Sequence, residues 1–375
     1  MISPASINHR DLKIGLENAL AFAEEQFKAL VETYPDFFPM YTMAGHWNHG
    51  GETWTNWCEG FLPGTLWLLH NLTGRRYWRE KAEHYSTLLQ HRKSDRKVHD
   101  LGFVFMSSYG RWYELTHEPE LREILIEAGQ TLALRFQQKG QYLCSFVAPE
   151  SLFIDIMMNV GIIFWAAEKT DNSDLRDLAI AHCQTTLRYL VHDDGSTVHE
   201  GLFDPGTGEF LRESTHQGYA AGSCWSRGLS WALYGFGTAY QFTRIGSFLE
   251  TAERCADYYI RHVPSNHVPY WDFEVPQGPA QLWDSSAGAI AASGLWNLSA
   301  LTHSKSKVQL YRETASRIMN TLVSEDFLAQ GRKGQQGVLL HGVYHFHKKL
   351  GVDESLMWGE YFFMEALQKL LTALR

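Results

Sequence analysis

The feature that most constrains the fold of this 375-residue chain is a pattern that the sequence repeats five times. In each copy an apolar, aromatic-rich helix is followed by a short turn and then by a charged amphipathic helix. Turns of this length join antiparallel neighbours, so each copy predicts a helical hairpin. The five turns are centred on threonines, namely Thr73, Thr116, Thr170, Thr243 and Thr302.

The two helices of each hairpin are expected to occupy different layers. The first helix, for example 103–115 or 156–167, is apolar on all sides and should be buried. The second helix, for example 249–262, carries charge on one face and should lie outside. A sixth hairpin is predicted across the termini, between 12–31 and 354–374.

Six inner and six outer helices predict an all-α fold, an (α/α)6 barrel formed by one domain over residues 1–375. The chain is longer than a usual domain of about 100–200 residues, which favours a closed and repetitive architecture. The helical period breaks over 193–212, where Asp194-Gly195 and Pro205-Gly206 are turn signals. This stretch predicts a small β-hairpin at the rim of the barrel.

Composition excludes several classes of partner. The net charge is −9 and no basic cluster is present, which argues against nucleic acid. The five cysteines are scattered without a CxxC pair, so neither a disulfide framework nor a metal site is predicted. Residues 1–8 lack the features of a signal peptide, and no run of about 18 apolar residues could enter a membrane. We expect a cytoplasmic monomer or homodimer.

Polar and aromatic residues collect where the inner helices begin. Such clusters occupy 52–57, 99–103, 154–159, 215–227, 283–286 and 358–361. The inner helices of a toroid run parallel, so these clusters should line one mouth, where helix N-termini favour an anionic ligand. An isolated Asp or Ser at such a position is more often a simple helix cap, and Asp284 is the best candidate for that role.

Two carboxylates among these clusters are suited to acid–base chemistry. Asp155 lies among apolar residues, and desolvation should raise its pKa towards neutrality. Asp100 follows His99 at the start of another inner helix. If the two carboxylates meet, their repulsion would raise one pKa further, an arrangement that suits catalysis on a sugar. Their separation along the chain leaves open whether they meet.

At these residues the sequence resembles the unsaturated glucuronyl hydrolases, glycoside hydrolase family 88. The resemblance runs from about residue 50 to the C-terminus and lies in 56–61, 99–103, 155–159, 194–199, 215–218, 225–231, 270–273, 284–287 and 358–361. It implies an (α/α)6 barrel without metal or other cofactor. The implied substrates are oligosaccharides left by polysaccharide lyases, which carry a 4,5-unsaturated uronic acid at the non-reducing end.

The resemblance also implies roles for individual residues. Asp155 would protonate C4 of the unsaturated ring and activate the water that adds at C5, and Asp100 would be the second essential carboxylate. Arg227 would bind the uronate, because a guanidinium fork fits a carboxylate bidentately. The other residues implied to contact substrate are Trp57, His99, His199, Gln217, Trp225, Trp231 and Tyr344.

Three departures from the family pattern concern the leaving sugar rather than the reaction. The loop 141–151 is short and offers Phe146 where relatives have Trp, Glu360 replaces the usual Asp, and 341–349 lacks a Ser before Tyr344. Three other interpretations remain open. They are an unsaturated rhamnogalacturonyl hydrolase, a glycosidase or epimerase acting on saturated sugars, and a non-catalytic carbohydrate-binding scaffold.

Overall fold

The fold is an (α/α)6 barrel, as the repeated hairpins predict. A computed structural model describes residues 8–51 and 54–374. Residues 1–7, where no signal peptide is predicted, and the cluster residues Glu52 and Thr53 lie outside the described residues. Within those residues a bilayer-spanning helix is absent, because none of the helices is apolar over a sufficient length.

Six inner helical segments form the wall of the barrel. Three are single helices of 17 or 18 residues, a fourth is shorter, and two are interrupted, one by a π-helical turn at Met106–Gly110 and one between Asn159 and Gly161. In chain order they are α2 (Phe61–Thr73), α4 (Leu101–Phe105) with α5 (Arg111–Thr116), α7 (Ile156–Asn159) with α8 (Gly161–Thr170), α10 (Ser226–Thr243), α12 (Ser285–Leu301) and α14 (Met357–Ala373).

Six amphipathic helices surround this wall. They bury one face each, as the helix Gly246–His262 does through Phe248, Ala252 and Tyr259. These outer helices are α1 (His9–Thr33), α3 (Arg76–Leu88), α6 (Pro119–Ala133), α9 (Ser173–Leu190), α11 (Gly246–His262) and α13 (Lys305–Leu322). Because α14 packs against both α12 and α2, the ring closes between the ends of the chain.

Several of the five repeated threonines end the inner helices by a common mechanism. Thr73, Thr170 and Thr243 each donate their hydroxyl to the carbonyl four residues earlier, at 2.7–2.8 Å. At each of these turns the residue that follows the threonine has positive φ, for example Asp171 at 51°, and its N–H closes the helix. The chain then reverses at once into the outer helix.

Short strands decorate the end of the barrel where the inner helices begin. The predicted hairpin is present as β6 (Glu200–Phe203) and β7 (Phe210–Ser214), shifted to 200–214, and β5 (Ser151–Phe153) adds a third antiparallel strand that was not predicted. The hairpin of β8 (Gly342–His345) and β9 (Leu350–Glu354), which precedes α14, was not predicted either. The strands are β1 (Thr42–Met43), β2 (His46–Trp47), β3 (Phe136–Gln137), β4 (Tyr142–Leu143), β5 (Ser151–Phe153), β6 (Glu200–Phe203), β7 (Phe210–Ser214), β8 (Gly342–His345) and β9 (Leu350–Glu354).

Candidate active site

A cavity of about 350 Å³ opens at the end of the barrel where the inner helices begin. This is the mouth at which the sequence places the polar clusters. Nine of the ten predicted site residues line the cavity, and His199 lies directly behind it. The nine are Trp57, His99, Asp100, Asp155, Gln217, Trp225, Arg227, Trp231 and Tyr344.

Both carboxylates line this cavity, close enough for the charge of Asp155 to act on Asp100. Asp100 precedes α4 and is 5% exposed, while Asp155 precedes α7 and is 9% exposed. Burial first, and the charge of Asp155 second, raise the pKa of Asp100 well above its usual range, although Arg135 and a hydrogen bond from Asn159 oppose the rise. Asp100 is thus a second carboxyl of the cavity whose environment favours the protonated form.

Asn159 joins the two inner segments that carry these carboxylates. Its Oδ1 accepts the backbone N–H of Phe103 at 2.7 Å, and its Nδ2 donates to the carbonyl of Asp155 at 3.2 Å. The segments approach so closely that a Cβ on Gly102 would lie 2.5 Å from the Cα of Asn159. Glycine is thus required at 102 to bring Asp100 and Asp155 together.

His199 supports Asp155 from behind the cavity wall. Its Nδ1 accepts the backbone N–H groups of His216 and Gln217, both at 3.0 Å. A neutral imidazole that accepts at Nδ1 carries its proton on Nε2, and this atom lies 3.8 Å from Oδ2 of Asp155. His199 is fully buried and does not line the cavity, so the prediction that it contacts substrate is not met.

His99 supports Asp100 in the same way as His199 supports Asp155. Its Nδ1 accepts the backbone N–H of Phe146 at 3.0 Å, and its Nε2 lies 3.4 Å from Oδ1 of Asp100. Burial lowers the pKa of His99 to about 3, so the ring is neutral with its proton on Nε2. Each carboxylate therefore faces an imidazole N–H whose tautomer is set by a backbone amide.

Arg227 is buried and its guanidinium is already bound by protein groups. Its NH1 donates to Asp284 at 3.2 Å and to the carbonyl of Val343 at 2.6 Å. Its NH2 donates to Oε1 of Gln217 at 2.5 Å and to the carbonyl of Tyr344 at 3.0 Å. The four N–H groups of the two terminal nitrogens are thus engaged by protein groups. The bidentate contact with a uronate stays a prediction, and it would have to replace two of these bonds.

These contacts also give Arg227 a role within the protein. Arg227 orients the side-chain amide of Gln217 by donating to its Oε1. The Nε2 of Gln217, a donor, is then the group that this residue can offer to the cavity. Arg227 also holds strand β8 against the cavity. Its partner Asp284 caps α12 by accepting from the backbone of Ser286 at 3.1 Å, so the predicted cap is confirmed and has a second function.

Aromatic side chains form the walls. Trp225 covers the Arg227 guanidinium at 4.4 Å, and Trp231 packs on Phe103 at 4.9 Å between ring centroids. Trp57 and Tyr344 stack with their ring centroids 6.1 Å apart. Such flat walls suit a sugar ring.

Two of the departures from the family pattern have different positions relative to the cavity, and the cavity also has lining residues that were not predicted. Phe146 lines it, in agreement with its proposed substitution for a family Trp, and is 52% exposed. Glu360 is buried away from the cavity, where it accepts the backbone N–H groups of Val338 and Leu339. The lining residues that sequence reasoning missed are Trp54, Asn56, Lys97, Val98, Phe103, Phe153, His216, His345 and Lys348. Trp54, Asn56, Phe103 and His216 belong to the polar clusters predicted at the mouth, and His345 and Lys348 belong to the segment 341–349, so these residues had a signal in the sequence. Lys97, Val98 and Phe153 had none.

Comparison with known proteins agrees with this geometry. The sequence profile of Glycosyl Hydrolase Family 88 matches residues 32–339. An unsaturated glucuronyl hydrolase of Formosa agariphila is 32% identical over 324 residues, which cover 84% of this chain and 80% of that protein.

Two solved structures show the same fold. The glycosaminoglycan-degrading unsaturated glucuronyl hydrolase of Bacillus sp. GL1 has a TM-score of 0.88 at 29% identity, covering 94% of this chain and 96% of that one. A variant of the Streptococcus agalactiae enzyme, complexed with dGlcA-GalNAc6S, has a TM-score of 0.83 at 27% identity, covering 98% and 93%. With a profile match over most of its length and a relative above 30% identity, this chain belongs to glycosyl hydrolase family 88.

Proposed function

We propose that this protein removes the 4,5-unsaturated uronic acid from the non-reducing end of lyase-generated oligosaccharides by hydrating its double bond. The observation that carries this proposal is the pair Asp100 and Asp155, two buried carboxylates in one cavity, of which Asp100 has a strongly raised pKa. Burial and the repulsion between two neighbouring carboxylates favour a form in which the pair shares one proton that it can give to a substrate. Names of the relatives support the same substrate class.

Asp155 is the group we propose to act on the substrate. It is the more exposed of the two carboxyls, and its Oδ1 has no hydrogen-bond partner among the described residues. The pair shares one proton, which Asp155 delivers to C4, while the oxygen of a water adds at C5. The proton that this water loses returns to the Asp155 carboxylate, so the pair is regenerated. The resulting hemiketal opens to a C5 ketone, and the hemiacetal left at C1 releases the second sugar.

His99 and His199 act as positioning residues in this proposal. Each donor N–H lies beside one carboxylate, at 3.4 Å from Asp100 and 3.8 Å from Asp155. Fixed donors favour the ionised form of whichever carboxyl has given up the proton. The walls formed by Trp57, Trp225 and Trp231, together with the donor of Gln217, would hold the unsaturated ring.

The test is the position at which water adds. With a chondroitin lyase digest in heavy water, the absorbance of the conjugated enoate should disappear and one deuterium should enter C4 of the product. In ¹⁸O-labelled water, early product should carry the label at C5. A glycosidase that attacks the anomeric carbon would label C1 and leave the double bond intact. Preserved enoate absorbance while the disaccharide is cleaved would overturn the proposal.

We extend the proposal to the setting of the enzyme. Residues 1–375 would form one catalytic domain, since the ring of inner helices is closed. The protein would be a cytoplasmic monomer or homodimer, since its five buried cysteines form no disulfide, as is usual in a reducing compartment. Light scattering measures the mass of the particle, and fractionation of the producing cell locates it.

A further inference from the structure

Arg135 is a half-buried cation of the outer layer whose side-chain partners are all backbone carbonyls. It follows the last residue of α6 but one, where this outer helix reaches the end of the barrel that holds the cavity. Its Nε donates to the carbonyl of Cys144 at 2.8 Å, one terminal nitrogen donates to the carbonyl of Arg96 at 2.6 Å, and the other donates to the carbonyl of Ser145. Within the described residues, therefore, no carboxylate neutralises this guanidinium.

The three carbonyls belong to two segments that border the cavity. The first segment, 95–100, ends at Asp100, and Arg96 lies four residues before that carboxylate. The second segment, 144–150, connects β4 with β5 and contains Phe146 of the cavity wall. Neither segment is part of a helix or strand, so its backbone carbonyls need partners from elsewhere. The guanidinium binds both segments at once and thereby fixes the distance between them.

The two segments meet a second time at His99. Its Nδ1 accepts the backbone N–H of Phe146 at 3.0 Å, and its Nε2 lies 3.4 Å from Oδ1 of Asp100. Phe146 directly follows Ser145, whose carbonyl is bound to Arg135. A displacement of Ser145 would move the N–H that orients the imidazole, and with it the donor beside Asp100. Arg135 is thus connected to this carboxylate both along the chain and through His99.

The charge of Arg135 also reaches the carboxylate pair. Burial and the charge of Asp155 raise the pKa of Asp100, and the Arg135 cation opposes this rise. Three further titratable side chains lie around Asp100, namely Cys58, His99 and Tyr344. Burial raises the pKa of the thiol and of the phenol and lowers that of the imidazole to about 3, so all three are neutral near pH 7. The charges that act on Asp100 are then those of Asp155 and Arg135.

We propose that Arg135 is a positioning residue for the acid–base pair: its hydrogen bonds hold Asp100 and the donor His99 in place, and its charge acts on the proton that the pair shares. Arg135 does not line the cavity, so it acts through these residues and not on the substrate. The inference rests on the proposed function and extends the machinery of the reaction to a residue of the outer layer.

The test compares kcat, KM and the pH dependence of kcat for an unsaturated uronate–hexosamine disaccharide. Arg135→Gln removes the charge and cannot bind three carbonyls. We expect kcat to fall about 10- to 100-fold, as for a misplacement on the order of 1 Å. KM should change less than about threefold, because the walls Trp225 and Trp231 belong to α10 and its start.

The pH dependence of kcat reports the charge separately. The pair must hold one proton, so kcat falls at high pH as this proton is lost. Without the cation the pKa of Asp100 rises further, and in Arg135→Gln the basic limb should move to higher pH by about 0.5 unit or more. Arg135→Lys keeps the charge but not the planar fork, so its kcat should fall while the basic limb stays in place.

Arg122→Gln is the matched control on the same helix. Arg122 also donates to a backbone carbonyl, that of Lys169, but it pairs with Glu123 at 2.5 Å. Lys169 lies near the end of the inner helix α8, at the opposite end of the barrel from the cavity. This variant should have the kcat and the pH dependence of wild type.

The outcomes distinguish this inference from the proposed function. Wild-type kcat and an unmoved basic limb in Arg135→Gln would overturn the role of Arg135 alone. A loss that disappears when rates are expressed per folded molecule, measured by circular dichroism, would also overturn it. If Arg135→Gln fails to fold, wild-type kcat in Arg135→Lys would overturn the positioning role. A wild type that turns over no unsaturated disaccharide would overturn the proposed function together with this inference.

Discussion

Asp100 and Asp155 occupy matched settings, each beside an imidazole N–H, yet they differ in exposure and in protein partners. We expect Asp155→Asn to lower kcat by about 10²- to 10⁴-fold, the usual contribution of a general acid. Thermal stability should change little because the amide has the same shape. The measurement is loss of enoate absorbance under saturating substrate, and retention of more than about a tenth of the activity would contradict the assignment.

Asp100→Asn should have a different signature. The folded-state pKa of Asp100 is raised, so its contribution to stability is greatest below the unfolded pKa of about 3.8 and is lost as pH rises. The amide removes this dependence. We therefore expect the variant to lose activity while its melting temperature, relative to wild type, rises from pH 5 to pH 8. Parallel stability curves for the two proteins would exclude a raised pKa at Asp100.

Arg227→Lys tests whether this residue positions other groups. Lysine keeps the charge but cannot make four hydrogen bonds to Asp284, Gln217 and strand β8. We expect the free energy of unfolding to fall by about 1–3 kcal/mol, kcat to fall and KM to rise. A selective rise in KM at unchanged stability would instead support the direct contact with the uronate.

The limits of sequence reasoning are visible at this same residue. The place of Arg227 in the cavity was predictable. A cation at the start of a helix opposes the helix dipole, so a purely structural role explains it poorly. The partners of Arg227 were not predictable, since Asp284 and Val343 lie 57 and 116 residues further along the chain. The two ring nitrogens of His345 have no hydrogen-bond partner among the described residues. This too could not be predicted, because it depends on the packing around the ring and not on a motif.

At the scale of elements, hairpins with local signals were predictable and long-range pairings were not. The threonine turns use contacts over four residues, which a sequence displays directly. Strand β5 pairs with β6 across about fifty residues, so Phe153 has no local partner that would mark it as a strand. The β8–β9 hairpin contains His345 and has few of the usual turn residues, which explains why it was missed.

The crossing of α4 and α7 at Gly102 gives a prediction at this scale. In Gly102→Ala the new methyl would lie 2.5–2.6 Å from Asn159 backbone atoms, which must move apart. Overpacking of this kind costs about 1–3 kcal/mol, and we expect activity to fall more than 10²-fold because Asp100 and Asp155 separate. Gly110→Ala in the same inner segment is the control, since its methyl would meet nothing closer than 3.5 Å. Equal activity of the two variants would contradict the prediction.

At the scale of the whole molecule, α14 carries two buried glutamates whose pKa values shift in opposite directions. One of them, Glu365, helps to hold the ring closed. Glu365 accepts from Arg111 at 2.6 Å, Tyr234 at 2.9 Å and Lys369 at 3.0 Å, and also from Ser293, so it joins four inner segments. Desolvation opposes its ionisation, but these cations lower its pKa to about 2. Glu360 is buried with only backbone donors on one oxygen, and burial raises its pKa to about 8.

The two glutamates should therefore act on stability in opposite pH ranges. The contribution of Glu365 is complete above its unfolded pKa, near 4.5, and is lost as pH falls towards 2. That of Glu360 is complete below 4.5 and is lost as pH rises through about 8. Glu365→Gln leaves Arg111 and Lys369 buried with less charge to balance them. It should cost about 3–5 kcal/mol at pH 7 and flatten the acid limb of the stability curve.

Glu360→Gln keeps an oxygen for Val338 and Leu339 and removes the ionisable group. The variant should match wild type at pH 5 and become relatively more stable towards pH 8, at a slope of up to about 1.4 kcal/mol per pH unit. Denaturant unfolding from pH 3 to pH 9 measures both variants against wild type. Since the two residues lie on one helix away from the cavity, activity per folded molecule should be unchanged for Glu360→Gln. Curves that stay parallel to wild type across the range would show that neither glutamate has the ionisation described here.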